Sequence, residues 1–313
     1  MSAKGRRNCF RKIEYYGQRQ MIVGGNISIV GKPNVGKSTL FNLLVKKHLA
    51  GATRKPQTTR HTIDGILTED QAEFVFIDTP GLNFNIKKDF NRFLNKNTLG
   101  AIYDSNVILH LIKYNKVDKD DMKVFENIKD LDIPKILVLN KTDLLKDKNK
   151  LMGILSEIPE EFAECYNEII PVSSKKAKNI DKLKKVIKTF LPKEKNYSKQ
   201  DIISHKSFEF FIAEYIRESC IRYLTEEIPY SFHVEINKFE DDEKIVSIAA
   251  TIYLSKKNHI SIVVGKNGKM LGKISKASRI CAEKLLEKKV FLKIFVKYDP
   301  KWKEKKSFLK FYE

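Results

Sequence analysis

Gly31-Lys-Pro-Asn-Val-Gly-Lys-Ser38 is the stretch on which the fold turns. Its spacing, G-x-x-x-x-G-K-S, is that of a phosphate-binding loop. Gly31 and Gly36 let the backbone curl around Asn34 and Val35 so that successive N–H groups face one concavity. The apolar run Ile27–Val30 before it reads as a strand, and Ser38–Lys47 after it reads as a helix. The helix N-terminus adds partial positive charge where a phosphate would sit. In that setting Lys37 reaches the outer phosphates, Ser38 supplies a hydroxyl to Mg2+, and Thr39 continues the phosphate-facing turn.

Two further motifs follow in order, each at the end of a predicted strand. Asp78-Thr-Pro-Gly81 comes after Phe74–Ile77; its carboxylate is placed for Mg2+, and Gly81 leaves the backbone free to approach a γ-phosphate. Asn140-Lys-Thr-Asp143, with Lys141 between, comes after Ile136–Leu139. A carboxylate there can accept hydrogen bonds from the N1–H and N2 amino group of guanine. Adenine offers no donors in those positions and would leave Asp143 unpaired, which is a basis for rejecting it.

The surrounding pattern agrees. Val107–Ile112 and Ile169–Val172 add two more apolar strands, and helix-period segments lie near Asp89–Tyr103, Lys119–Lys129, Leu151–Cys165 and Asn179–Phe190. Strand–helix alternation of this kind predicts a mostly parallel α/β sheet covered on both faces. Residues 25–191 form this unit, and 192–205, which begins at a proline and has no apolar period, reads as a linker. Residues 206–299 have a different rhythm: a helix over Phe208–Leu224, strands at Phe232–Ile236 and Ile245–Leu254, a helix near Met270–Glu287 and a strand at Val290–Lys297. That is a smaller α+β unit. Ile260–Val264 reads as a strand by β-branched propensity.

Charge singles out the two ends. Lys and Arg number 59 against 39 Asp and Glu, a net charge of +20. Thr251–Glu313 carries 17 basic and 5 acidic residues, and residues 1–24 carry 6 and 1. A field so placed suits a polyanion, either nucleic acid or an anionic membrane surface. The same excess also arises where lysine simply fills a solvated surface. The N-terminal 24 residues read as a basic extension, with an organelle transit peptide as one alternative. No run approaches 18 apolar residues, so no membrane-spanning helix is expected. Cys9, Cys165, Cys220 and Cys281 are scattered, which excludes a disulfide framework and fits a reducing compartment. The six histidines form no metal-spaced pair; His61 alone lies near the nucleotide motifs.

These motifs carry a resemblance. Gly31–Leu40, Lys55-Pro-Gln-Thr-Thr-Arg-His61, Asp78–Leu82, Arg217–Ser231 and Gly265–Leu271 together make the chain, from residue 25 onward, similar to the Era family of bacterial ribosome-assembly GTPases. The resemblance implies a P-loop GTPase domain followed by a type II KH-type RNA-binding domain. Ile260–Val264 would then be a short helix. Ligands would be GTP and GDP with Mg2+, the metal held by Ser38, Thr59 (with Thr58 as second choice) and Asp78; Lys37, Thr59 and Gly81 would act at the γ-phosphate. Asn34 matches an asparagine that in some relatives helps bind an activating K+. Leu82 replaces the water-orienting glutamine of Ras-like proteins, so intrinsic hydrolysis is expected to be slow. The guanine-backing loop is Ser173-Ser174-Lys175, with Ala177 where relatives place glycine.

Gly265-Lys266-Asn267-Gly268 corresponds to the G-x-x-G loop with which KH domains clamp about four nucleotides. Lys269, Lys273, Lys276 and Arg279 would neutralise phosphates beside it. The implied partners are small-subunit ribosomal RNA and the small ribosomal subunit. The implied location is the cytoplasm, and a monomer is the default expectation; the basic tail, residues 300–313, suits RNA or, as peripheral contact, anionic membrane, and equally a plain solvated tail. Competing expectations are a membrane-surface GTPase and a nucleotide-gated RNA-binding protein that hardly hydrolyses GTP.

Overall fold

The computed structural model describes residues 22–53, 55, 59–81, 98–115, 117–145, 153, 156, 158–194, 202–225, 228 and 231–302. The first sheet is built from β1 (Ile22–Val30), β2 (Ile63–Glu69), β3 (Ala72–Asp78), β4 (Val107–Lys113), β5 (Lys135–Asn140), β6 (Glu168–Pro171) and β7 (Lys193–Glu194). Its order is β2-β3-β1-β4-β5-β6, with β7 added beside the start of β1. The pairs β1–β3, β1–β4, β4–β5 and β5–β6 are parallel, whereas β2 is antiparallel to β3 and β7 to β1. Buried runs such as Val107–Ile112 and Ile136–Leu139 have no polar alternation because helices cover both sheet faces.

Those helices include α1 (Lys37–Leu44), α2 (Lys119–Glu126), α3 (Glu160–Glu164) and α4 (Ile180–Phe190). A reciprocal capping box starts α2: Asp118 accepts from the Asp120 and Asp121 backbone, and Asp121 returns a bond to the Asp118 backbone. Residues 98–103 are also helical, while most of the helix expected at Asp89–Tyr103 and the first part of Leu151–Cys165 fall outside the described residues. Sequence patterning did not single out β2. Its Ile63–Leu67 core contacts are interrupted by Gly65, where a Cβ would lie 2.9 Å from the Phe41 ring, so close packing against α1 replaced the alternation that marks a strand. Within 192–205, β7 pairs with β1 and the Ile203 carbonyl accepts from the Ile66 N–H.

The second sheet has order β10-β9-β8, from β8 (Phe232–Asp241), β9 (Ile245–Leu254) and β10 (Lys289–Tyr298). β8 and β9 are antiparallel with a bulge near Asn237, and β9 and β10 are parallel. Helices α5 (Phe208–Tyr223), α6 (His259–Val264) and α7 (Lys269–Leu286) cover one face. Ile260–Val264 is therefore helical: His259 and Val263 are buried four residues apart, and burial at helical spacing overrides β-branched propensity. Ser207 caps α5 by accepting from the Phe210 N–H at 3.3 Å.

Candidate functional site

At the carboxyl end of β1 the chain turns sharply into α1. Gly36 has φ 106°, and a Cβ there would come within 2.4 Å of Asn140 Nδ2, so both backbone shape and crowding require glycine. The loop residues Asn34, Gly36, Lys37, Ser38 and Thr39 share one cleft with Thr59 and Gly81. Gly31 and Val35 are buried behind it. Lys37 Nζ donates to the carbonyls of Gly31 at 2.9 Å and Lys32 at 3.0 Å, so the ammonium is held at the cleft floor. Burial lowers its pKa to about 8, with the Asp78 charge opposing.

Three oxygens converge beside it. The Ser38 hydroxyl donates to Asp78 Oδ2 at 2.7 Å, the Thr59 hydroxyl donates to the same atom at 3.3 Å, and the two hydroxyls lie 3.0 Å apart. The second carboxylate oxygen of Asp78, Oδ1, is buried without a hydrogen-bond partner among the described residues. Burial raises the Asp78 pKa to about 6. A hard divalent cation suits this all-oxygen set, and Mg2+ there would supply charge neutralisation for phosphate. Thr58 and Leu82 lie outside the described residues. The cleft is also lined by Pro33 of the phosphate loop and by Gly51, Ala52, Thr53 and Lys55, which sequence reading did not name as site residues. The signal for the last four was positional: they precede Thr59 in the loop that faces the phosphate loop.

The second rim is tied to the first by side-chain hydrogen bonds. Asn140 Nδ2 donates to the Val35 carbonyl at 2.9 Å, and its Oδ1 accepts from the Lys141 N–H, the Ser174 N–H and the Ser174 hydroxyl. Lys141 Nζ donates to the Asn34 carbonyl at 2.6 Å. The Ser173 hydroxyl donates to Asp143 Oδ1 at 2.6 Å and orients that half-buried carboxylate. Lys175 is exposed, and Ala177 has φ 52°, the left-handed conformation that glycine adopts without strain.

The loop carrying Thr59 also meets α5. Lys55 Nζ donates to the Leu224 carbonyl at the end of α5, and His48 Nε2 lies 2.9 Å from Glu218 Oε2. His61 packs edge-on against Phe210, with ring centroids 5.5 Å apart, and 3.6 Å from Glu214, which Arg217 grips through Nε at 2.8 Å and a second guanidinium nitrogen. Burial lowers the His61 pKa to about 3, outweighing the attraction of Glu214. This polar seam had no sequence signature.

The G-x-x-G loop joins α6 to α7. Gly265 has φ 71°, and a Cβ would meet that of Met270 at 2.6 Å. Gly268, also at positive φ, precedes the first turn of α7. Lys266, Asn267, Lys269, Lys273, Lys276 and Arg279 are all exposed; Lys269, Lys273 and Lys276 share one helical face, and Arg279 flanks it 4.0 Å from Glu283. Exposed N–H groups at a helix start beside a lysine row suit a phosphate backbone. No group of three or more His, Cys, Asp or Glu side chains that could hold a metal occurs among the described residues.

Comparison with known proteins agrees with this arrangement. Residues 26–141 match the family model described as 50S ribosome-binding GTPase, and residues 227–303 match the KH domain model. GTPase Era of Coxiella burnetii is 34% identical over 286 residues, covering 91% of this chain and 96% of that protein. GTPase Era of Nitrosomonas eutropha is 38% identical over 278 residues, covering 89% and 93%. A variant of Aquifex aeolicus Era bound to GDP.AlF4- aligns with TM-score 0.86 at 30% identity, covering 93% of this chain and 99% of that one. Era in complex with MgGDPNP and nucleotides 1506–1542 of 16S ribosomal RNA aligns with the same score and identity over 93% and 98%. The phosphate loop, the Asn140–Asp143 motif and the KH unit thus occur together in a chain that belongs to the GTPase Era family.

Proposed function

We propose that the chain is a GTP-driven switch that binds the 3′ region of small-subunit ribosomal RNA and serves a maturation step of the small ribosomal subunit. The observation that carries this reading is the seam between the two units. Thr59 lies in the phosphate cleft, while His61, two residues on, packs against Phe210 and Glu214 of the RNA-side helix α5. A change at the cleft is thereby in mechanical contact with the unit that bears the G-x-x-G loop. The relative with 16S ribosomal RNA supports the small subunit over the large one named by the first family description.

In this reading Gly31, Asn34, Val35, Gly36, Lys37, Ser38 and Thr39 bind phosphates, and Asn140, Lys141, Asp143, Ser173, Ser174 and Lys175 bind or buttress guanine. Ser38, Thr59 and Asp78 hold Mg2+. Lys37, Thr59 and Gly81 stabilise the transferring phosphoryl group, and hydrolysis is slow without a partner. Asn34 lines the cleft, which keeps an activating K+ in play; equal kcat in KCl and NaCl removes it. The units are taken as 25–191 and 206–299. Among the described residues no helix is long and apolar enough to cross a membrane, and flotation with anionic vesicles tests peripheral contact. The deciding experiment titrates fluorescent GTP with and without an oligonucleotide of the small-subunit RNA 3′ end. Reciprocal shifts in affinity are expected. RNA binding that leaves GTP affinity and hydrolysis untouched would leave two independent modules.

A further inference from the structure

The face of the second sheet opposite α5 and α7 is not used by any of the roles above. Along β10 the buried residues Val290 and Leu292 alternate with outward Phe291, Lys293, Phe295 and Lys297. Phe291 is 57% exposed and Phe295 42% exposed, unusual for phenylalanine on a sheet. Their neighbours on β9 are Ser247 and the buried Thr251, with Ala249 between, so small side chains flank the rings. Lys293 Nζ stands 5.0 Å from the Phe295 ring centroid, which holds a cation over an open aromatic face. Neither Lys293 nor Lys297 has a carboxylate within 4 Å among the described residues.

β10 is also an edge strand, and α6, which leads into the G-x-x-G loop, packs against its covered face. A strand of nucleic acid that leaves the loop and passes round this edge comes onto the outer face of β10. We propose that the outer face of β10 is a second contact for single-stranded RNA, in which Phe291 and Phe295 stack bases and Lys293 and Lys297 take phosphates. The two phenylalanines are four residues apart, about 13 Å along a strand, so they receive bases that are not adjacent. Exposed rings interleaved with cations that have no carboxylate partner are the chemistry of a sequence-tolerant single-strand platform. The core of a protein interface is instead depleted of lysine. The inference rests on the RNA reading given above.

The test uses the full chain and two probes from the small-subunit RNA 3′ end: a twelve-nucleotide strand and the four-nucleotide windows within it. Phe291→Ala with Phe295→Ala is expected to weaken the twelve-mer about tenfold per ring while the best four-mer changes less than twofold. Phe291→Tyr with Phe295→Tyr keeps stacking and is expected to restore the twelve-mer. Lys293→Ala with Lys297→Ala should reduce the salt dependence of twelve-mer binding by about 0.7 in log–log slope for each lysine. An unchanged twelve-mer in the alanine variant overturns the proposal, as does a parallel loss of both probes, which signals damage to the fold or to the G-x-x-G cleft. Loss of binding to phosphatidylserine vesicles with unaltered twelve-mer affinity assigns the face to a membrane and overturns it too. If the unmodified chain binds neither probe, the RNA reading itself fails, a result distinct from all of these.

Discussion

The nucleotide cleft and the lysine face of α7 are built on opposite plans. In the cleft nearly every polar side chain is already committed: Lys37 to two carbonyls, Ser38 and Thr59 to Asp78, Asn140 to four partners and Asp143 to Ser173. On α7, Lys269, Lys273 and Lys276 are exposed and carry no hydrogen bond or ion pair among the described residues. Side chains held by neighbours in this way suit a small ligand recognised by geometry. The α7 face offers a field and pays side-chain entropy on binding, which suits a polymer read mainly through its backbone. Single changes should therefore be severe in one and graded in the other.

Asp143→Ala gives the sharpest break. Two hydrogen bonds to a charged group contribute about 1.5 to 3 kcal/mol each, so GTP affinity should fall about 10²- to 10⁴-fold, with discrimination against ATP lost. Titration of both nucleotides checks this, and a threefold effect with ATP still excluded would take Asp143 out of base recognition. Acid gives the next largest effect, because preorganisation includes two buried neutral histidines. His61 and His110 have pKa values lowered to about 3 by burial. Below the unfolded value near 6.5 the unfolded chain takes up protons that the native chain does not. Stability then falls with pH at about 1.4 kcal/mol per unit for each histidine, down toward pH 3. Urea unfolding at pH 7, 6 and 5 should record that slope, and His110→Asn should remove about one histidine's share.

On the graded side, Lys273→Ala with Lys276→Ala should weaken single-stranded RNA modestly and lower the salt slope by about 1.4 in total. A loss approaching that of Asp143→Ala would mean that α7 is preorganised after all. The smallest expected effect is a gain. Ala177→Gly removes the strain of φ 52° and should stabilise the chain by about 0.5 to 1 kcal/mol, net of the greater freedom of glycine in the unfolded state. Thermal unfolding of the two forms measures it.

How much of this was legible in the sequence follows from the range of the forces involved. The phosphate loop, Asp78–Gly81 and Asn140–Asp143 could be read because each is a local device: a turn, a strand end and a helix start made by neighbouring residues. The G-x-x-G loop and the lysine row on α7 were readable for the same reason. The helix at Ile260–Val264 was not settled by propensity, because burial of His259 and Val263 decided it. β2 was missed because packing at Gly65 against α1 blurred its alternation.

The seam between the units could not have been read at all. His48 and Glu218 are 170 positions apart, and Lys55 and the Leu224 carbonyl 169, so no pattern links them until both units are folded. The neutrality of His61 and the orphaned oxygen of Asp78 are likewise products of burial, a property of the assembled core. By itself the sequence determined the nucleotide and the class of the second unit, since those follow from residue chemistry at short spacing. Only the tertiary structure decided which helix the Thr59 loop touches and which aromatic side chains stay exposed, because both depend on surfaces that exist only once distant segments have packed.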